Sequence, residues 1–292
     1  MEFRAFTVEL RTRFRGLTSR SGVLMTDGRG HWGEYSPFAD YDAERATRWW
    51  CAAVEAARGE WPLPVRDSVA VNSIVPQVAP DDARTFATAH GARTAKVKVA
   101  GGDTLAQDIA RVEAVADALG PGGAIRIDVN GGWDVDQATR AIEALDAAAR
   151  SGGLTGLEYV EQPCATVEEL AALRGRIDVP IAADEAIRVP GTADAVLAAG
   201  AADVIILKAQ PLGGVRRSLE IAEQVHPLPV VVASAMESSV GLAAGIALAC
   251  ALPDDPLACG LGTGALLATD TVRDTLLPSD GRIGRPTLEV TA

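Results

Sequence analysis

The stretch Thr94-Ala95-Lys96-Val97-Lys98-Val99 alternates small or charged residues with β-branched ones. That is the period of a β-strand, in which side chains return to one face every second residue. Val97 and Val99 share one face, Lys96 and Lys98 the other. Two ammonium groups side by side on a buried strand are costly unless negative charge compensates them. The rest of the chain is read as the supply of that compensation.

Around this strand the same rhythm repeats. From Ser68 onward, short apolar runs alternate with Ala-rich helical segments. The pattern predicts strands near 69–72, 94–99, 125–129, 157–161, 180–183, 203–208, 229–233 and 258–261. It predicts helices near 81–90, 103–119, 134–149, 166–174, 191–199, 213–225 and 239–251. Such alternation points to a parallel α/β sheet. A closed (β/α)8-type barrel holds eight such units in roughly 200 or more residues. The alternative, an open doubly wound sheet, favours a Gly-rich phosphate loop after its first strand, and none stands there.

Ahead of this region, residues 3–14 alternate as a strand and 16–22 read as a turn-like loop. Two further strands are expected at 23–26 and 31–35, joined by the hairpin chemistry of Asp27-Gly28-Arg29-Gly30. A helix is expected over 41–58, with Asp40 or Asp42 as its N-cap. Pro62 and Pro64 punctuate a boundary near residue 65. The expected division is 1–67, an α+β region; 68–270, the barrel; and 271–292, an extended tail returning to the first.

Bulk properties narrow the function. The 292 residues are 48% hydrophobic but only 4% aromatic, so the core is built from Ala, Val, Leu and Ile. A net charge of −12 argues against a nucleic-acid partner, which needs clustered Lys and Arg. It leaves room for a small-molecule carboxylate, because a local pocket can oppose the global field. Cys51, Cys164, Cys250 and Cys259 show no CxxC pair and read as reduced thiols of a cytoplasmic protein. No signal peptide is visible. The longest apolar run, 240–252, is too short to span a bilayer, so no membrane partner is expected. Oligomeric state is not legible.

The charges then fall into phase. Predicted strands end on Lys98, Asp128, Glu161, Asp184 and Lys208, at steps of 30, 33, 23 and 24 residues, about one βα unit each. In a barrel, the C-terminal strand ends meet at one mouth, where active sites are built. Three carboxylates converging there repel unless a cation lies between them. An all-oxygen set favours a hard divalent ion, Mg2+ before Zn2+. Lysines on either side of such a centre suit proton removal next to a carboxylate. A free lysine is a poor base at neutral pH, so Lys96 and the metal are expected to lower the pKa of Lys98. Taken singly, an Asp or Glu at a strand end is a helix cap or a surface charge, and two strand lysines are edge protection. Asp67, Asp103 and Asp270 are read that way, and His31, His90 and His226 fall outside the set.

Lys96-Val97-Lys98, Asp128-Val129-Asn130, Glu161-Gln162-Pro163, Ala183-Asp184-Glu185 and Lys208 resemble the enolase superfamily, in its muconate-cycloisomerase-like subgroup. The resemblance covers essentially the whole chain. It implies an α/β fold: a (β/α)7β TIM-like barrel with an N-terminal α+β capping domain. It implies Asp128, Glu161 and Asp184 as ligands of Mg2+, with Mn2+ as a possible substitute. Lys98 resembles the base at the end of the second strand, and Lys208 the opposing lysine on the sixth. Lys96 and Asn130 are given supporting roles.

Arg13-Phe14-Arg15-Gly16-Leu17-Thr18-Ser19-Arg20 and Trp32-Gly33-Glu34-Tyr35-Ser36-Pro37-Phe38 are similar to the o-succinylbenzoate synthase family. So are Val71-Asn72-Ser73-Ile74-Val75-Pro76 and Ser234-Ala235-Met236-Glu237-Ser238. The implied reaction is dehydration of 2-succinyl-6-hydroxy-2,4-cyclohexadiene-1-carboxylate to 2-succinylbenzoate by lysine-catalysed syn elimination, a step of menaquinone synthesis. In that family the 16–22 loop closes over the site, and Arg20, Ser234, Gly260 and Gly262 are candidate substrate contacts. An N-acylamino-acid racemase or dipeptide epimerase with the same two lysines is the main rival, and a muconate-type cycloisomerase a weaker one. A Schiff-base aldolase has no use for the carboxylate trio. A non-catalytic binding barrel has no use for the full set.

Overall fold

The computed structural model describes residues 1–14, 16–189, 191–254 and 257–291. Arg15 of the motif above and the last residue of the 271–292 tail lie outside them. The chain forms two compact units. The first comprises Met1–Val71, Leu207–Glu223 and Val231–Ala292; the second, Asn72–Ile206 and Gln224–Val230.

The first unit opens with a three-stranded antiparallel sheet, β1 (Glu2–Phe14), β2 (Leu17–Thr26) and β3 (Trp32–Tyr35), in that order. The expected loop at 16–22 is thus corrected to a strand. β2 is the central one, with Val8 opposite Arg20 and Val23 opposite Tyr35. Its Ser, Thr and Gly residues imitate a turn in composition, but Leu17 already pairs with Phe14, and the turn residue before it is Gly16, whose φ is +80°. Gly22 is required by crowding instead, since a Cβ there would lie 2.5 Å from the Tyr35 carbonyl oxygen. The helix α1 (Ala43–Ala57) follows, N-capped by Asp42, which accepts from the Arg45 amide at 2.8 Å. β3 lies hard against α1: a Cβ on Gly33 would come within 1.9 Å of the Ala53 carbonyl oxygen.

The seven-stranded parallel sheet has β5 (Ser73–Val75), β6 (Thr94–Lys98), β7 (Ala124–Asp128), β8 (Leu157–Glu161), β9 (Ile181–Ala183), β10 (Val204–Leu207) and β11 (Val230–Val232) in unbroken sequence order. Between them run α2 (Pro80–Ala87), α3 (Leu105–Leu119), α4 (Val135–Ser151), α5 (Val167–Arg174), α6 (Thr192–Ala198), and then α7 (Ala209–Leu212) with α8 (Val215–Val225). α9 (Ser239–Ala251) follows β11. Strands and helices fall where the periodicity predicts, with two differences. The first expected strand, 69–72, is divided. β4 (Ser68–Ala70) pairs antiparallel with β12 (Arg282–Gly284), and the parallel partner of β6 is β5. The eighth is reduced to the parallel bridges Val71–Cys259 and Ala233–Gly260 within the first unit. Strand order and bridges together are those of an eight-stranded (β/α) barrel.

Three successive helices begin with the same device. Thr104 and Gln107, Asp134 and Gln137, and Thr166 and Glu169 each form a capping box, satisfying two orphan amides reciprocally. Each box follows a strand that ends on Lys98, Asp128 or Glu161. The helix start and the strand end are therefore both fixed, and only the short connection between them varies.

Candidate active site

Register brings the strand ends together within the second unit. Lys98 lies opposite Asp128, and Asp128 opposite Glu161. Glu161 lies opposite Ala182, two residues before Asp184 on the same face. Asp128, Glu161 and Asp184 are buried, at 0–1% exposure, as are Lys96 and Lys98 at 7–8%.

Their charges form one alternating network. The Lys96 ammonium donates to Asp128 Oδ2 at 2.8 Å and to Glu161 Oε1 and Oε2 at 2.8 and 3.0 Å. Lys98 donates to the same Asp128 Oδ2 at 2.5 Å and to Asn130 Oδ1 at 2.6 Å. The Asn130 amide passes to Glu185 Oε1 at 3.1 Å. Arg188 approaches that oxygen at 3.4 Å and forks over Asp184, with Nε 3.1 Å from Oδ1 and Nη2 on Oδ2. Burial alone draws the Lys96 pKa down, but Asp128 and Glu161 outweigh it and hold the group above the usual lysine range. Lys96 is therefore a fixed cation.

Several residues of this network carry no signal of their own in the sequence. Gln162, fully buried, accepts the amides of Asp184 and Ala186 at 3.0 Å each and donates to the Cys164 carbonyl at 2.9 Å. It sets the backbone that carries Asp184. Arg111 donates to the Lys98 carbonyl at 3.2 Å and to Asp108 at 2.7 Å. Non-glycine residues in the left-handed region stand just beyond three strand ends: Ala100 (φ 64°), Asn130 (φ 53°) and Gln162 (φ 40°). Such strain persists only where surrounding contacts over-determine it, and it clusters at functional sites. Arg188, four residues after Asp184, was readable as an i,i+4 partner.

The first unit holds the other candidates. Lys208 directly follows β10 and is buried. The Ser234 hydroxyl lies 2.7 Å from that of Thr263, and its amide donates to Gly260 at 3.0 Å, so Ser234, Gly260 and the Gly262–Thr263 turn are brought together. Arg20 is buried; it donates to the Met236 carbonyl at 3.1 Å and to that of Ser36, and lies 4.4 Å over the Phe38 ring. Glu237 is buried too. Burial raises its pKa, opposed by its own and the Ala235 amide and by the Arg20 and Lys208 charges.

Among the described residues, no group of three or more His, Cys, Asp or Glu is arranged to hold a metal ion. The donor chemistry nonetheless fits one. The three buried carboxylates offer only oxygen, and each already lies against an ammonium or guanidinium group, so positive charge is what these positions accept.

Residues 79–289 match the family model described as enolase C-terminal domain-like, and residues 5–57 the one described as enolase N-terminal domain-like. A Thermobifida fusca protein named o-succinylbenzoate synthase is 57% identical over 96% of this chain and 86% of its own length. One of the same name from Mycobacterium tuberculosis is 47% identical over 93% and 80%. Among solved structures, the L-Ala-D/L-Glu epimerase of Bacillus subtilis superposes with a TM-score of 0.81 at 25% identity, covering 99% of this chain and 96% of that one. The muconate lactonizing enzyme of Pseudomonas fluorescens gives 0.82 at 19%, covering 99% and 96%. A dipeptide epimerase of Enterococcus faecalis, solved with Mg and the dipeptide L-Leu-L-Tyr, gives 0.80 at 22%, covering 99% and 97%. The fold is a (β/α)7β TIM-like barrel with an N-terminal α+β portion.

Proposed function

Because this chain belongs to the o-succinylbenzoate synthase family of the enolase superfamily, we propose that it dehydrates 2-succinyl-6-hydroxy-2,4-cyclohexadiene-1-carboxylate to 2-succinylbenzoate. The observation that carries the reading is Lys98. Its ammonium is buried at a strand end, held between Asp128 and Asn130, next to an independently anchored Lys96.

In this reading Lys98, as the free amine, takes the proton from the ring carbon that bears the carboxylate. The electron pair left behind forms the new ring double bond as the C–O bond to the hydroxyl breaks. Lys98 returns its proton to the departing hydroxide on the same face, so the products are 2-succinylbenzoate and water. Asn130 and Asp128 orient the Lys98 amine. Lys208 supplies a second cation toward the ring.

Asp128, Glu161 and Asp184 would hold Mg2+, with Mn2+ as a substitute. When bound, the ion supplies positive charge for the substrate carboxylate. Arg188 would then share Asp184 or leave it. Arg20, Ser234, Gly260 and Gly262 are proposed to face the succinyl end. The functional division proposed is 1–67, 68–270 and 271–292.

We place the reaction in menaquinone synthesis in the cytoplasm. Cys51 and Cys164 are free thiols. Among the described residues no helix is long and apolar enough to cross a membrane.

The test is formation of 2-succinylbenzoate with and without EDTA. Turnover that EDTA abolishes and Mg2+ restores is expected. Full activity in EDTA, with borohydride trapping a substrate adduct on a lysine, would overturn the assignment. Rapid exchange of the α-proton of an N-succinyl amino acid in 2H2O, without dehydration, would move it to a racemase.

A further inference from the structure

α9 has an end that its own sequence does not finish. Residues Ser239–Cys250 are buried throughout, and the first turn contains no acidic residue. A buried helix N-terminus presents unsatisfied amides and partial positive charge, which must be met by something. Ser238 meets one amide, accepting from Val240 at 3.3 Å. The rest is supplied by residues remote in sequence.

Glu34 comes from β3, 204 residues away, and is 1% exposed. Its Oε1 accepts from the Ser238 amide at 3.2 Å and the Ser36 hydroxyl at 2.6 Å. Its Oε2 accepts from the Gly241 amide at 2.9 Å and from the Ser238 hydroxyl. Asp270 meets the next amide, Ser239, at 3.0 Å, and the Ser239 hydroxyl at 2.5 Å. The Ser238 hydroxyl is also 2.7 Å from that of Thr271.

Immediately before this anchored end stands the 234–237 segment. Met236 is in the left-handed region at φ 65°, and its carbonyl is the one Arg20 grips. The segment is thus held at two points by the N-terminal strands: by Arg20 of β2 at Met236 and by Glu34 of β3 at Ser238. It begins at half-buried Ser234, just past the C-terminal end of β11, the end at which barrel enzymes bind substrate.

We propose that Glu34 is a positioning residue: by capping α9 from another strand it fixes the 234–237 segment in the conformation that binds substrate. Glu34 touches no reacting atom, and its action passes through Ser238. The inference rests on the proposed reaction, with the 234–237 segment facing the substrate.

The experiment compares wild type, Glu34→Gln and Ser36→Ala in steady-state dehydration and in Mg2+ binding by titration calorimetry. Glu34→Gln turns one acceptor into a donor that faces donors. It is expected to raise KM about tenfold, with kcat within about threefold and Mg2+ affinity unchanged. Ser36→Ala removes one donor and leaves the helix cap in place, so KM should rise two- to threefold in a fully folded protein. Where Glu34→Gln does not fold, the Ser36→Ala result decides. An unchanged KM in a folded variant overturns the proposal, as does a loss confined to kcat. A wild type that binds Mg2+ but never dehydrates the substrate sinks the reaction assignment instead.

Discussion

In the second unit the buried carboxylates are held by cations; in the first, buried Glu34 and half-buried Asp270 are held by hydroxyls and peptide amides. Asp128 and Glu161 share the Lys96 ammonium, and Asp184 lies under the Arg188 fork. Glu34 and Asp270 have serine hydroxyls and helix amides instead. The difference separates two tasks. A carboxylate balanced by a side-chain cation can exchange that cation for another ion or a substrate group. A carboxyl group held by backbone amides is committed to geometry. The first arrangement suits a site of chemistry, the second a scaffold that fixes a helix end and the segment before it.

The largest expected effect tests the chemical side. Lys98→Ala should lower kcat by about 10^3- to 10^4-fold, the scale of a lost acid–base group, while calorimetry finds Mg2+ binding retained. Near-normal turnover would mean that the cation-held cluster is not where the proton moves. Next, Lys96→Met should cost the metal-free protein about 3–5 kcal/mol in urea unfolding, because it strands buried carboxylates. A loss below about 1 kcal/mol would show that Lys98 or solvent can take over, and would weaken the contrast between the units.

Two carboxyl groups, Glu34 of the first unit and Asp203 of the second, shift in opposite directions. Burial pushes Glu34 up to about 7, against the hydrogen bonds from Ser238 and Ser36. The folded protein therefore keeps a proton that the unfolded chain, at the ordinary value of 4.5, has released. Stability from this group is full below about pH 4.5 and falls as pH rises to about 7, by at most about 3 kcal/mol. Glu237 shifts in the same direction. Asp203 in the second unit runs the other way. Burial raises it, but the Arg174 side chain and the Ile181 amide more than offset that. Its contribution is present above the ordinary aspartate range and is lost as pH falls. Urea titrations at pH 5 and pH 8 should show a slope that Glu34→Gln flattens and Asp203→Asn does not.

Smaller effects sharpen the boundary. Asp184→Asn is expected to weaken Mg2+ binding by at least about tenfold, read by calorimetry; unchanged affinity would leave Asp184 as a partner of Arg188 alone. Thr271→Val removes one neutral hydroxyl contact to Ser238 and should cost only about 1 kcal/mol. A cost several times larger would place the hydroxyl network on the same footing as the ionic one.

Lys98, Asp128, Glu161, Asp184 and Lys208 are visible because successive βα units, 23 to 33 residues long, end their strands in the same phase. Asn130 and Gln162 lie inside the motifs, yet their left-handed backbone has no one-dimensional trace. Glu34 lies inside the 32–38 motif, but nothing local hints at its part in capping α9. Its partners at Ser238 and Gly241 are more than 200 residues away, and only folding brings them together. The 16–22 stretch misleads because its polar composition is that of a turn, while its position, between β1 and β3, makes it a central strand.

The three capping boxes have a consequence for how such a protein can change. Each strand end is pinned by its neighbours' register, and each following helix is pinned by its own first turn. The connection between, at 99–103, 129–133 or 162–165, is a short cassette between two fixed posts, constrained where Asn130 holds Lys98 and Gln162 sets the backbone of Asp184. New substrates can be explored by rewriting the remaining positions of one cassette, without moving Lys98, Asp128 or Glu161. A lineage built this way can vary its specificity while its chemistry stands still.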